Sequence, residues 1–185
     1  SGATANITNV TSFTATASSS NSGTVTISTD NSSGGTVDMT AASGNYTLSG
    51  QGSIDTLTGG GGNDIISGGT GADALTGGGG NDVITGGVDN DNMTGGSGND
   101  TFNVDSGTDT ITDLTTGDIL VVSSGATANA TNISGFVATG STSNSGTANL
   151  TASNSGGTID VGNSTTGSYN LTGLAGADTL KGNGN

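Results

Sequence analysis

The chain has 185 residues, 15 of them acidic (all Asp) and one basic, Lys181, giving a formal net charge of −14 at pH 7. That balance argues against nucleic acid and anionic membranes as partners, and it calls for an external cation wherever carboxylates are brought together. With 28 % hydrophobic residues, three Phe, two Tyr and no Trp, Cys or His, the chain has no thick globular core, no disulfide framework and no thiolate or imidazole metal site.

Residues 1–49 are rich in Ser, Thr, Asn and Ala. Within them "GTVTIST", "GTVDMTA" and "NYTLSG" alternate apolar and polar residues between Gly, Asn and Ser turns, which predicts short strands. One Phe and one Tyr are too few for an independent sandwich. The segment is therefore expected to form irregular β-solenoid turns stacked on the residues from 50 onward, with a small separate β-domain as the alternative. It returns later: "SGATANITNVTSFTATASSSNSGT" at 1–24 reappears as "SGATANATNISGFVATGSTSNSGT" at 124–147, with Phe13 matching Phe136 and Tyr46 matching Tyr169. The offset of about 123 residues marks a tandem unit. The chain holds about one and a half copies and is expected to be a piece of a longer array.

From residue 50 a second, shorter period takes over. Asp55, Asp64, Asp73, Asp82, Asp91, Asp100, Asp109 and Asp118 follow one another at nine-residue intervals. Two places after each stands an apolar residue: Leu57, Ile66, Leu75, Ile84, Met93, Phe102, Ile111 and Leu120. This spacing fits neither an α-helix nor a hairpin meander. It fits a coil of two nonamers per turn, each with a six-residue loop and a very short strand. The apolar residues then point inward. One edge carries Asp55, Asp73, Asp91 and Asp109, the other Asp64, Asp82, Asp100 and Asp118. A flexible linker would need glycine and polarity but no apolar residue in fixed register. Calcium, a hard cation taking six to eight oxygens, suits short carboxylate arms and glycine loops that aim carbonyls inward.

The nonamers "GGGGNDIIS", "GGTGADALT", "GGGGNDVIT" and "GGSGNDTFN" resemble the RTX nonapeptide G-G-x-G-x-D-x-U-x, which forms a calcium-bound parallel β-roll. "GQGSIDTLT", "VDSGTDTIT" and "DLTTGDILV" lose glycines, and "GGVDNDNMT" has Asp89 in a glycine place. The resemblance implies an all-β parallel β-roll over 50–121, continuous with Ser/Thr-rich β-solenoid turns over 1–49 and 122–172, and a second roll starting over 173–185. It implies several Ca2+ ions held by Asp55, Asp64, Asp73, Asp82, Asp91, Asp100, Asp109 and, in the second roll, Asp178. The loop glycines it assigns to those sites are Gly59, Gly60, Gly61, Gly62, Gly68, Gly69, Gly71, Gly77, Gly78, Gly79, Gly80, Gly86, Gly87, Gly95, Gly96 and Gly98.

No catalytic motif accompanies these residues, and the carboxylates form a periodic ladder rather than one pair in a cleft, so no enzyme is expected. No apolar run approaches a membrane span. The outward residues of one face, Ile65, Val83 and Ile119 among them, form an uncharged aliphatic ladder that points to lateral self-association, with the solenoid ends as a second contact. The expected function is that of an extracellular structural protein of the bacterial cell surface, in a surface layer, sheath or filament. The resemblance implies export by type I secretion, and a secretion signal is expected to lie outside this chain or to be absent. The alternatives are the calcium-rigidified stalk of a large RTX adhesin and, ranked lower, an ice-binding solenoid using the Thr-bearing face, which Ala74 and Asn92 interrupt.

Overall fold

The structure, a computed structural model, describes residues 4–16 and 23–184. Residues 1–3 and 17–22 of the first Ser/Thr/Asn-rich segment and Asn185 at the end of the second roll lie outside the described residues. The described residues form strands and no helix. In chain order these are β1 (Thr4–Val10), β2 (Ser12–Thr14), β3 (Thr24–Thr29), β4 (Thr36–Asp38), β5 (Tyr46–Ser49), β6 (Thr56–Gly60), β7 (Ile65–Thr70), β8 (Ala74–Gly79), β9 (Val83–Val88) and β10 (Asn92–Ser97). They continue with β11 (Thr101–Val104), β12 (Thr108–Ile111), β13 (Ile119–Val122), β14 (Thr127–Ile133), β15 (Gly135–Val137), β16 (Ser143–Asn144), β17 (Thr147–Ala152), β18 (Thr158–Asp160), β19 (Tyr169–Thr172) and β20 (Thr179–Lys181).

From β1 to β14 successive strands alternate between two faces of one coil, and every strand pairing is parallel. One sheet runs β1-β3-β5-β7-β9-β11-β13-β16, and the facing sheet runs β19-β17-β14-β12-β10-β8-β6-β4-β2. A third sheet, β15-β18-β20, widens the coil in the second Ser/Thr-rich segment.

Register turns the nine-residue period into a core. In the first sheet Ile7, Ile27, Leu48, Ile66, Ile84, Phe102 and Leu120 stack in single file. In the second, Phe13, Val37, Leu57, Leu75, Met93, Ile111, Ala130, Leu150 and Leu171 do the same. The eight apolar residues that come two places after the ladder aspartates are at most 1 % exposed. The files run without a break from the Ser/Thr-rich coils into the roll, so those coils are turns of the same solenoid and not a separate β-domain. The interior is only these two files thick, and full burial of one such side chain is worth about 1.5–3 kcal/mol.

One feature differs from the sequence expectation and a second lay outside it. The strands are longer than expected: β7 runs six residues through Gly68 and Gly69, because the glycine pair continues the parallel ladder, Gly69 facing Gly87. The chain bends at that second glycine, with φ of 105° at Gly69 and 109° at Gly87. Asp89, by contrast, keeps the left-handed backbone of the glycine it replaces, at φ 84°. The second feature is the placing of the two copies of the 123-residue unit. β1 ("TANITNV") belongs to the first sheet, whereas its counterpart β14 ("TANATNI") belongs to the second.

Candidate metal centre

Each nonamer delivers its aspartate to a loop at one edge of the coil, shortly before an inward apolar residue that anchors the strand. All eight ladder aspartates are buried, at most 3 % exposed. One oxygen of each is used in the fold. The Asp55 amide donates to Asp73 Oδ1 at 2.8 Å, and Asp73 to Asp91 at 2.8 Å. Asp64 donates to Asp82 at 2.7 Å, Asp82 to Asp100 at 2.8 Å and Asp100 to Asp118 at 2.9 Å. Asp91 donates to Asp109 at 3.1 Å. The 18-residue step makes each edge a separate ladder, as the two-nonamer turn requires. The upper ends of both ladders are closed by the Ser/Thr-rich coils, through Gly35 N to Asp55 and Tyr46 N to Asp64.

The other oxygen is the informative one. Oδ2 of Asp55, Asp64, Asp73, Asp82, Asp91 and Asp109 is buried with no hydrogen-bond partner. A buried carboxylate without a partner is costly and is pushed toward its neutral form. Burial accordingly raises Asp64 and Asp109 to about 7, and Asp73 and Asp82 to about 6, with a like-charged ladder neighbour adding to the rise in each case. Asp55, Asp91 and Asp100 are also raised by burial.

The glycines show where these oxygens converge. A Cβ on Gly59, Gly68, Gly77, Gly86 or Gly95 would come closer than 3.0 Å to the Oδ2 of the aspartate five residues on. At Gly59, Gly68 and Gly77 the same point is also closer than 3.0 Å to a carbonyl of the next turn, from Gly77, Gly86 and Gly95 respectively. Gly173 meets Asp178 Oδ2 in the same way where the second roll starts. The first glycine of the nonamer thus leaves open a cradle lined by carboxylate and carbonyl oxygens. The second (Gly60, Gly69, Gly78, Gly87, Gly96) and fourth (Gly62, Gly71, Gly80, Gly98) each crowd a backbone carbonyl of the preceding turn. Gly61 and Gly79, in the third place, have no neighbour closer than 3.4 Å to a Cβ.

No three side-chain carboxylates converge on one point among the described residues. A cation at these loops would therefore be held by one or two aspartates completed by backbone carbonyls. This all-oxygen donor set, with its orphaned anionic oxygens, fits Ca2+. Bound there, calcium would neutralise the ladder and tie each turn to the next.

The ladder ends differently at its lower edge. Asp118 accepts at Oδ2 from Thr115 N at 2.8 Å and Thr115 Oγ1 at 3.1 Å, so its second oxygen is not orphaned. Asp113, which no nine-residue count singles out, accepts from Gly95 N and Gly96 N at 2.9 and 2.7 Å, beneath a cradle glycine. A counter-ladder also escaped the sequence reading. Asn63 N donates to Asn45 Oδ1, Asn81 N to Asn63 and Asn99 N to Asn81, at 2.8–2.9 Å. These bonds run in the opposite direction to those of the adjacent aspartates. Their sequence signal is the recurring "GND". On the other edge only Asn90 takes this role, accepting from Thr108 N. The described surface holds no pocket.

Four copies of the RTX calcium-binding nonapeptide repeat match the chain, at residues 41–75, 49–84, 76–111 and 166–185. The matched span begins nine residues before the expected boundary at 50 and omits the glycine-poor nonamer "DLTTGDILV" at 113–121. The last copy covers the restart of the second roll. No curated protein and no solved structure matched the chain.

Proposed function

We propose that this chain of RTX calcium-binding nonapeptide repeats is a segment of a secreted bacterial structural protein, folded by calcium and assembling into a surface layer, sheath or extracellular filament. The observation that carries the reading is the set of six buried, unpartnered aspartate oxygens in a solenoid whose interior is two side chains thick. Such a fold lacks the apolar burial to hold its own anions together, so the ions supply folding free energy and the coil becomes a rod only where calcium is plentiful. RTX calcium-binding repeats are typical of extracellular proteins, and export by type I secretion is part of this reading.

Assembly is supported by the surface. Ile65 and Val83 stand 54 % and 38 % exposed in one row of the first sheet, in register with Thr101 and Ile119. The row carries no charge, so its contact with a second copy meets no electrostatic penalty once the ladders are neutralised. The solenoid ends supply the second contact, with the next unit continuing the coil. The test is electron microscopy and light scattering of the purified chain with and without calcium. Ordered sheets or filaments are expected with calcium, and Ile65→Asp with Val83→Asp should disperse lateral assemblies while leaving calcium-induced folding intact. Assembly of the double variant indistinguishable from the parent would sink the lateral contact.

A further inference from the structure

The two edges of the roll are not equivalent, and one loop differs from the rest. At Gly86 the point a Cβ would occupy is 2.6 Å from Asp91 Oδ2 and 2.9 Å from Asp109 Oδ2. At Gly59, Gly68, Gly77 and Gly95 the nearest atoms include the carboxylate of one aspartate only. Both oxygens at Gly86 are orphaned, and their residues are 3 % and 0 % exposed. The bond joining the two residues, Asp91 N to Asp109 Oδ1, is at 3.1 Å the longest in either ladder. Two buried carboxylates, neither with a hydrogen-bond partner at Oδ2, therefore converge beneath one glycine.

Two more carboxylates act on this pair. Asp89 stands where the regular nonamer has glycine, and its loop is held onto the next by Thr108 N donating to Asn90 Oδ1 at 2.8 Å. Asp105 lies in the loop that leads to Asp109. Both are exposed. The charge of Asp89 acts on Asp91 and Asp73, and that of Asp105 on Asp109. A non-glycine residue in left-handed backbone costs conformational energy that glycine avoids. Asp89 carries that cost and adds a negative charge beside the most anionic loop.

We infer that the loop beneath Gly86, between Asp91 and Asp109, is the first cation site of the roll to fill, and that Asp89 and Asp105 set this order by their field rather than as direct ligands. This rests on the calcium reading above and deepens it: the ions enter in sequence from one edge instead of filling equivalent sites at once. The site would also favour a trivalent over a divalent cation more strongly than its neighbours, because charge counts for more where two carboxylates line the site and the field of two others adds to theirs.

The test is a titration of the whole 185-residue chain with Ca2+ by calorimetry and with Tb3+ by luminescence, against Asp89→Gly combined with Asp105→Asn. Glycine is the regular residue at that place and suits its backbone, so a merely structural role for Asp89 predicts unchanged or improved behaviour. A field role predicts that the tightest binding step weakens by about tenfold or more, with later steps and the calcium-saturated circular dichroism unchanged. Asp113→Asn, which neutralises the extra carboxylate of the other edge, should leave the first step in place. A double variant that titrates like the parent, or an equal loss in Asp113→Asn, would overturn the ordering. A parent that takes up neither ion would overturn both the ordering and the calcium reading beneath it.

Discussion

Removing calcium from the folded chain should do different things at different pH, and the structure gives the size of the difference. Burial lifts four ladder carboxylates well above their ordinary 3.8, Asp64 and Asp109 to about 7 and Asp73 and Asp82 to about 6. One pKa unit corresponds to about 1.4 kcal/mol, so keeping these four ionised in the metal-free fold costs on the order of 10 kcal/mol. A folded domain is stable by only about 5–15 kcal/mol in all. The folded-state values lie above the unfolded ones, so the folded chain binds more protons between pH 3.8 and about 7. The metal-free fold therefore loses stability as pH rises through that window; the penalty is absent below it and complete above it. The measurement is thermal unfolding by far-ultraviolet circular dichroism after exhaustive removal of calcium. Strand signal should be lost at about pH 8 and at least partly regained near pH 4. With calcium saturating, the trend should reverse, because protons then compete with the ion for the same oxygens. A metal-free chain as stable at the higher pH as the calcium-loaded one, or one that melts lower in acid than in mild base, would refute the reasoning.

Gly59→Ala places a Cβ against Asp64 Oδ2 and the Gly77 carbonyl, and should raise the calcium concentration needed for folding at least severalfold, whereas Gly61→Ala, whose Cβ would meet only ordinary van der Waals contacts, should change stability by no more than about 0.5 kcal/mol; calcium titrations followed by circular dichroism compare them. Asp82→Asn keeps an oxygen for the Asp64 amide but removes the charge of an orphaned ligand, so it should shift the calcium midpoint much more than Asp118→Asn, whose second oxygen is already held by Thr115. Phe102→Ala, fully buried in the first-sheet file between Ile84 and Leu120, should cost about 3–5 kcal/mol in calcium-saturated denaturant unfolding.

Much of this was legible in the sequence because one physical constraint repeats without slipping. An aspartate every nine residues with an apolar residue two places later leaves few coils that bury the one and line up the other. Leu57 to Leu120 and Asp55 to Asp118 accordingly stand where the period puts them. Residues whose role lies across turns rather than along the chain were harder to read. Asn45, Asn63 and Asn81 look like loop polarity until the 18-residue stacking brings each side chain to the amide of the next. Asp113 falls outside the period, yet the turn places it under Gly95 and Gly96. Gly61 and Gly79 read as part of the glycine motif, although only their neighbours in the first, second and fourth places are crowded. Composition also concealed how long the strands are, since glycine pairs are poor strand formers in isolation and join the ladder only because identical pairs lie above and below them.

The exchange of sheets between β1 and β14 reaches beyond a single unit. Passing from one copy to the next, the opening strand moves from one sheet to the facing one, while β15 and β18, the counterparts of β2 and β4, fall in the third sheet, so the two copies are not related by simple translation along the rod. A surface row on one flank of a unit would then return on a different flank of the next. Where units of this length follow one another, the rod has no privileged side: a sticky row such as that of Ile65 and Val83 would alternate between flanks, which favours bonding neighbours on both sides into a flat fabric over pairing into isolated doublets. The period of nine makes this parity adjustable in the smallest steps. One added nonamer would bring every such row to the same flank, and two would restore the alternation.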